Sequence, residues 1–201
     1  MLLLRCFVRQ LRPKINNYEF TVEKGTGYDL NRSLFERLVL KGFPHQTLAN
    51  QHRMRPEISA LVRALTYPEL LDHSSTIDRP SIRGVQSNVI FVNHEHPEIE
   101  EPHIGDRSDS GSTSSKQNVY EVEMVVKILL HLKRQGYENR NIVVLTPYLG
   151  QLSKLREALK NEGDPVLSDM DASDLKKAGI LDPGSIKNPQ QGVRLATIGE
   201  H

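Results

Sequence analysis

The sequence predicts an α/β domain built on a parallel sheet. Three observations lead there: short β-rich runs at residues 89–92, 141–145 and 193–198, amphipathic helical stretches before and between them, and turn residues marking the breaks. Strand, helix, strand, helix, strand is the order of crossover-connected parallel strands. Function in such sheets gathers at the carboxyl ends of the strands. Here those ends fall at residues 93–96, 146–148 and 199–201. A sheet whose last parallel strand closes the sequence reads as incomplete.

The helices follow from spacing and punctuation. Ser33 and Glu36 have capping-box spacing, and Leu34, Phe35, Leu38 and Val39 share a face, so a helix is expected over 33–41, ended by Gly42 and Pro44. Pro56 and Glu57 suit a first turn, with Ile58, Leu61, Val62 and Leu65 on one side until Pro68. Val119, Val122, Val126, Leu129 and Leu130 mark the clearest helix, stopped by Gly136. Leu152, Leu155 and Leu159 mark another, and a short helix is expected near 171–178. The Ser/Gly-rich stretch 104–116 reads as a mobile loop.

Composition narrows the function classes. The 201 residues are 37% apolar and carry 26 basic and 25 acidic side chains, a formal charge of +1. That balance excludes a histone-like tail and an acidic solvating segment. Any phosphate affinity must come from local patches. Aromatics make up 5% and Trp is absent, so stacking platforms are few. No apolar run approaches the roughly 18 residues of a membrane span, and no membrane partner is expected. Cys6, the single cysteine, excludes an internal disulfide and reads as an inert buried thiol. An intracellular location, nuclear or cytoplasmic, is the expectation. Arg5, Arg9, Arg12 and Lys14 with no acid before Glu19 have a transit-peptide flavour, but Ser is scarce there; a strand at 2–4 followed by a basic loop is the plainer reading.

The chemistry-bearing residues are few. Gln51-His52-Arg53-Met54-Arg55-Pro56 puts two guanidinium groups at the mouth of a helix, and a planar, permanently charged fork suits a phosphate oxygen. The bland alternative is a solvated surface pair. Tyr148, after Thr146-Pro147, is either a base-stacking ring or a residue packed on the sheet. His94, His96, His103 and Asp106 could chelate a metal in a hydrolase, but loop histidines beside Pro97 and Pro102 are commonly just solvated, and no metal site is expected. No Gly-x-Ser-x-Gly elbow occurs.

Taken in order, Gln10-Leu11-Arg12-Pro13, the Gln51–Pro56 hexapeptide, and Val144-Leu145-Thr146-Pro147-Tyr148 with Gln151 resemble the motifs of superfamily 1 helicases of the up-frameshift-like branch. Residues 16–19 and 27–38 look more specifically like the NFX-type zinc-finger helicases, a group linked to RNA silencing and heterochromatin. The resemblance runs from about Leu2 to Thr197. It implies a RecA-like fold, with residues 1–32 as the end of a first motor domain and its connector, and 33–201 as a second motor domain cut before its last two motifs.

The resemblance also implies roles. Gln10 matches a glutamine that senses the γ-phosphate, and Arg53 an arginine that reaches it from the second domain. His52 stands where a tyrosine usually packs on adenine, and Arg55 where the wider branch often has His. Thr146 matches a threonine whose hydroxyl meets a nucleic-acid phosphate. Ser115, Asn118 and Glu121 resemble a pattern near the nucleic-acid channel. Intact relatives use ATP and Mg²⁺; no Gly-x-x-x-x-Gly-Lys loop and no Asp-Glu pair after a buried strand occurs here, so neither is expected to bind tightly to this chain alone, and autonomous ATPase activity is not expected. The partners implied are single-stranded RNA or DNA, a first RecA-like domain carrying the P-loop, and RNA-silencing machinery. The alternative is a non-catalytic module for nucleic acid or protein that keeps the RecA-like fold.

Overall fold

The computed structural model describes residues 15, 17–25, 27–102, 104–105, 114–163, 165–181 and 192–198. Leu2–Leu4, Cys6, Gln10, His103 and Asp106 lie outside them. The chain forms two compact units, one reaching to Ser81 and including 87–90, the other comprising 82–86 and everything from Phe91 onward.

In the first unit, helix α1 spans Leu34–Leu40, with the Ser33 hydroxyl accepting the Glu36 N–H at 3.1 Å as the capping spacing predicts. Strand β1, Asn50–Gln51, leads to helix α2, Pro56–Leu65, and then to strand β2, Leu71–Asp72, which lies parallel to β1 in the register Gln51↔Asp72. The expected α2 stripe forms but is largely uncovered: Ile58, Leu61 and Leu65 are exposed, and Ser59 is the buried residue.

The second unit holds the main core. Strand β3, Ile99–Pro102, pairs antiparallel with strand β4, Ser114–Gln117. Helix α3, Val119–Arg134, follows, then strand β5, Val143–Thr146, helix α4, Leu149–Leu159, strand β6, Val166–Leu167, helix α5, Asp169–Lys177, and strand β7, Arg194–Thr197. The sheet order is β5-β7-β6, all parallel. Val144, Leu195 and Leu167 are aligned across it and join Leu129, Leu152, Leu155, Leu159 and Leu175 in one apolar cluster. This is the α/β fold class with a parallel, RecA-like sheet that the sequence predicts.

Several expectations need correcting. Residues 89–92 form no strand, and Ile90 and Phe91 are 61% and 88% exposed. A strand needs a neighbouring edge, and here the run straddles the division between the two units. The stretch 104–116 is not all loop: Ile104 is in the core, and residues 114–116 belong to β4. β5 is buried on one side only, since Val143 and Leu145 alternate to the other and are about half exposed. Val119, at the first position of α3, is exposed as well.

Candidate functional site

The Gln51–Pro56 loop is built around Gln51. Its side-chain oxygen accepts the N–H groups of Arg53 at 2.9 Å and Met54 at 2.6 Å. Its Nε2 donates to the Met54 carbonyl at 2.6 Å and to Asp72 Oδ1 at 2.7 Å. One amide side chain thus satisfies three backbone groups of the turn that β1 leaves open. Asp72 Oδ2 is paired with Arg63 at 3.0 Å, and Arg63 Nη1 also donates to the buried Ser59 hydroxyl at 3.0 Å. The Ser59 hydroxyl above all, then Gln51 and Arg63, hold the Asp72 carboxyl below its ordinary value.

The arginines on this loop have different tasks. Arg55 Nη2 donates to the carbonyls of Arg79 at 2.9 Å and Pro80 at 3.2 Å, and its Nε lies 3.6 Å from Glu57. Arg79 in turn donates to the carbonyls of Arg53 and His52. The Arg53 side chain is exposed and makes no hydrogen bond or ion pair with the described residues. His52 is exposed too, and its ring lies on that of His73 with centroids 4.0 Å apart. Of the three loop residues singled out in the sequence, Arg53 and His52 face solvent, while Arg55 holds the loop to residues 79–80.

The second group stands at the strand tips of the other unit. Thr146 ends β5, is 3% exposed, and accepts the Tyr148 N–H on its hydroxyl at 3.4 Å. The half-buried Tyr148 ring lies 5.8 Å from the Lys116 ammonium, which is also paired with Glu98. Glu98, then the Tyr148 and Glu100 charges, push the Lys116 pKa up.

Ser115 and Asn118, 1% and 5% exposed, are inside the joint between β4, α3 and α4. Ser115 Oγ accepts the Gly150 N–H at 3.0 Å. Asn118 caps α3 by accepting the Glu121 N–H at 3.2 Å, and its amide donates to the His96 carbonyl at 2.9 Å. Gln151 accepts the Asn118 N–H at 2.7 Å and donates back to the Asn118 carbonyl and to Glu121, each at 3.3 Å. These side chains fix the start of α4, the helix that leaves the Thr146 tip.

His96 stacks on Tyr120 with centroids 3.9 Å apart, and His94 Nε2 lies 3.2 Å from Glu121. Among the described residues, no cluster of three His, Cys, Asp or Glu side chains is placed to hold a metal. Residues that the sequence did not single out include Asp72, His73, Arg79, Asp171 and Thr197. Thr197 lies in the β-rich run 193–198, and Asp171 left a trace as well: with Ser168 it has Ser-x-x-Asp spacing before a short helix.

The parallel sheet β5-β7-β6 of the second unit, packed against α3, α4 and α5 with Thr146 at a strand tip, is an α/β arrangement of the RecA-like, nucleotide-motor class. A family profile described as AAA domain matches residues 30–176. The chain is 39% identical over 151 residues to NFX1-type zinc finger-containing protein 1 of Mus musculus, covering 75% of this chain and 7% of that protein. It is 31% identical over 152 residues to the helicase required for RNAi-mediated heterochromatin assembly 1 of Schizosaccharomyces pombe, and 31% over 157 residues to a regulator of nonsense transcripts 1 homolog of Neurospora crassa. Those two matches cover 75% and 77% of this chain and 14% of each relative. The chain belongs to the AAA-domain family of the superfamily 1 helicases, and it spans a small fraction of the length of the relatives it matches. None of its described helices is long and apolar enough to cross a membrane.

Proposed function

We propose that this chain works as the second lobe of an ATP-driven helicase motor acting on single-stranded RNA or DNA, with Arg53 as the arginine that reaches a γ-phosphate held by another lobe. The observation that carries the reading is the contrast within one loop. Gln51, Arg55 and Arg79 hold the backbone, and the Arg53 guanidinium is left exposed on that braced support. A cation on a fixed loop is the group that phosphoryl transfer uses to stabilise spreading negative charge. His52, exposed above His73, supplies a smaller flat surface for a base than the tyrosine found in relatives.

ATP with its Mg²⁺ supplies the transferable phosphoryl group in such motors. The Arg53 guanidinium, exposed and without a hydrogen bond or ion pair among the described residues, fits the phosphate. Arg55, committed to two carbonyls, is a support and not a nucleotide ligand. Gln10 keeps its role as γ-phosphate sensor in this proposal, on the resemblance alone. In the other unit Thr146 and Tyr148 contact the strand, and Ser115 and Asn118 hold the helix behind them. A role in RNA silencing, heterochromatin or RNA surveillance, inside the nucleus or cytoplasm, follows the relatives' names.

The test is complementation. The chain is mixed with a P-loop-bearing first motor domain from a matching helicase, and ATP turnover is measured with oligo(U) or oligo(dT). Turnover is expected only in the mixture, and Arg53→Ala is expected to lower it by about 10³-fold, the scale of an arginine finger. Turnover that ignores Arg53→Ala would remove Arg53 from this role, and a mixture no faster than the first domain alone would leave a non-catalytic binding module as the reading.

A further inference from the structure

Asp171 is a fully buried carboxylate, 0% exposed, in the first turn of α5, and the proposed function does not use it. Its Oδ1 accepts the Thr197 hydroxyl at 2.8 Å, and its Oδ2 accepts the Thr197 N–H at 3.0 Å and the Ser168 hydroxyl at 3.0 Å. Ser168 holds the carboxylate's own backbone by accepting the Asp171 N–H at 3.1 Å. The start of a helix favours a negative charge at this place. Burying one there only to cap α5 is more than the job requires, since Ser168 already does that.

Thr197 is the last residue of β7 and the register partner of Thr146, the last residue of β5. The next residue closes the link: the Ile198 N–H donates to the Thr146 carbonyl at 3.0 Å. A continuous path therefore runs from Asp171 through Thr197 and Ile198 to the backbone of Thr146. The two threonines end up chemically unlike. Thr197 has given both its hydrogens to Asp171 and can only accept. The Thr146 hydroxyl accepts from Tyr148 N–H and passes its own hydrogen to no acceptor among the described residues. Of this pair, Thr146 is the one able to donate to a phosphate oxygen.

We propose that Asp171 is a positioning residue for a single-strand phosphate contact at the strand tips, acting through Thr197 to hold Thr146 in place as the donor. This rests on the reading that Thr146 meets a nucleic-acid phosphate. Asparagine at 171 cannot do the same work. With its oxygen on the Thr197 N–H, its NH₂ would donate to the Thr197 hydroxyl, which then accepts and no longer gives its hydrogen to residue 171, and the charge at the start of α5 is gone.

The experiment is a mutant cycle on the full chain, read by fluorescence anisotropy with labelled oligo(dT) and oligo(U) of about 20 nucleotides, longer than one binding footprint. Circular dichroism fixes a temperature at which every variant is folded. Thr146→Val is expected to weaken binding about tenfold, the scale of one hydrogen bond to a charged group. Asp171→Asn is expected to weaken it by a similar factor, and the double variant by no more than Thr146→Val alone, because both act on one contact. Thr197→Ser should bind as the parent does. Thr197→Val, nearly the same size, should weaken binding, and it decides the matter if Asp171→Asn does not fold. A purely structural Asp171 would lower the melting temperature and leave affinity untouched. Parent-like binding by Asp171→Asn and Thr197→Val beside a weakened Thr146→Val overturns the proposal alone, as do losses that multiply in the double variant. A parent chain that does not bind, or a Thr146→Val variant that binds normally, overturns the nucleic-acid reading and the proposal with it.

Discussion

Gln51 and Asp72 face each other as register partners across β1 and β2, and the Gln51 amide donates to the Asp72 carboxylate at 2.7 Å. The pair ties the Arg53-bearing loop to the end of the following crossover. Asp72 accepts from Gln51 and Arg63 more strongly as a carboxylate than as a neutral acid, so the loop's brace carries a pH dependence.

The sign follows from the direction of the shift. The Ser59 hydroxyl, then Gln51, then Arg63, lower the Asp72 pKa. A lowered folded-state pKa contributes stability that is present above the unfolded value, about 3.9 for Asp, and disappears as pH falls through the folded value. Melting Asp72→Asn beside the parent chain is therefore expected to show the variant less stable at neutral pH, with the gap closing below about pH 4. A gap of constant size across that range would show that the carboxylate's charge is irrelevant to the brace.

Arg53 and Arg55 are two residues apart and should respond in opposite ways. The exposed Arg53 side chain makes no hydrogen bond or ion pair with the described residues, so Arg53→Ala should change unfolding free energy by less than about 0.5 kcal/mol. Arg55 donates to two carbonyls and its side chain is 12% exposed, so Arg55→Ala should cost about 1.5–3 kcal/mol, the range for hydrogen bonds to a charged group. Urea titration of the two variants reads both numbers. The reverse ranking would show Arg53 to be the structural residue.

What the sequence revealed and what it hid divide along physical lines. Leu152, Leu155 and Leu159 announce α4 because spacing by three and four puts them on one face, and all three are buried. Val144 and Leu195 fall on neighbouring parallel strands, as the β-rich runs predict. Ser114–Gln117 stayed hidden, since Ser-Ser-Lys-Gln has no β-branched residue to signal a strand. It is a strand because Ile99–Pro102 pairs with it and because Ser115 packs under Gly150. Residues 89–92 fail the other way: four strongly β-prone side chains without an edge to pair with. At the site, Arg53 and Thr146 were legible as motif residues. Gln51 as organiser of the loop, and Asp171 beneath Thr197, depend on side-chain contacts across 21 and 26 positions, which local pattern does not encode.

Gly150 shows how closely the second site is packed. A Cβ added there would lie 3.0 Å from the Lys116 carbonyl oxygen and 3.2 Å from the Ser115 Cβ. Both neighbours belong to β4, where backbone yields little. Gly150→Ala should therefore push α4 off β4, stretch the Ser115–Gly150 hydrogen bond, and cost about 1–3 kcal/mol, as overpacking does. Because α4 leaves the Thr146 tip, the same variant should also weaken oligonucleotide binding. Hydrogen exchange at the Gly150 amide gives the local answer: protection equal to that of the parent chain would mean that the joint absorbs a methyl group without opening.

The two sides of the sheet give the last contrast. Leu155 on α4 is 2% exposed within the cluster that covers Val144 and Leu195, whereas Leu145 on β5 is 48% exposed on the opposite side. Leu155→Ala removes buried methyl groups and leaves a cavity, so it should cost about 2–5 kcal/mol. Leu145→Ala gives up contacts that are only half made and should cost less than about 1 kcal/mol by the area rule of burial. Placed in the complementation mixture with a first motor domain, Leu145→Ala carries further information. If the partner lobe or an added segment of a longer chain covers that side of the sheet, the same substitution becomes costly in the mixture while remaining mild in the chain alone. Equal, small effects in both settings would mean that Leu145 stays in water throughout.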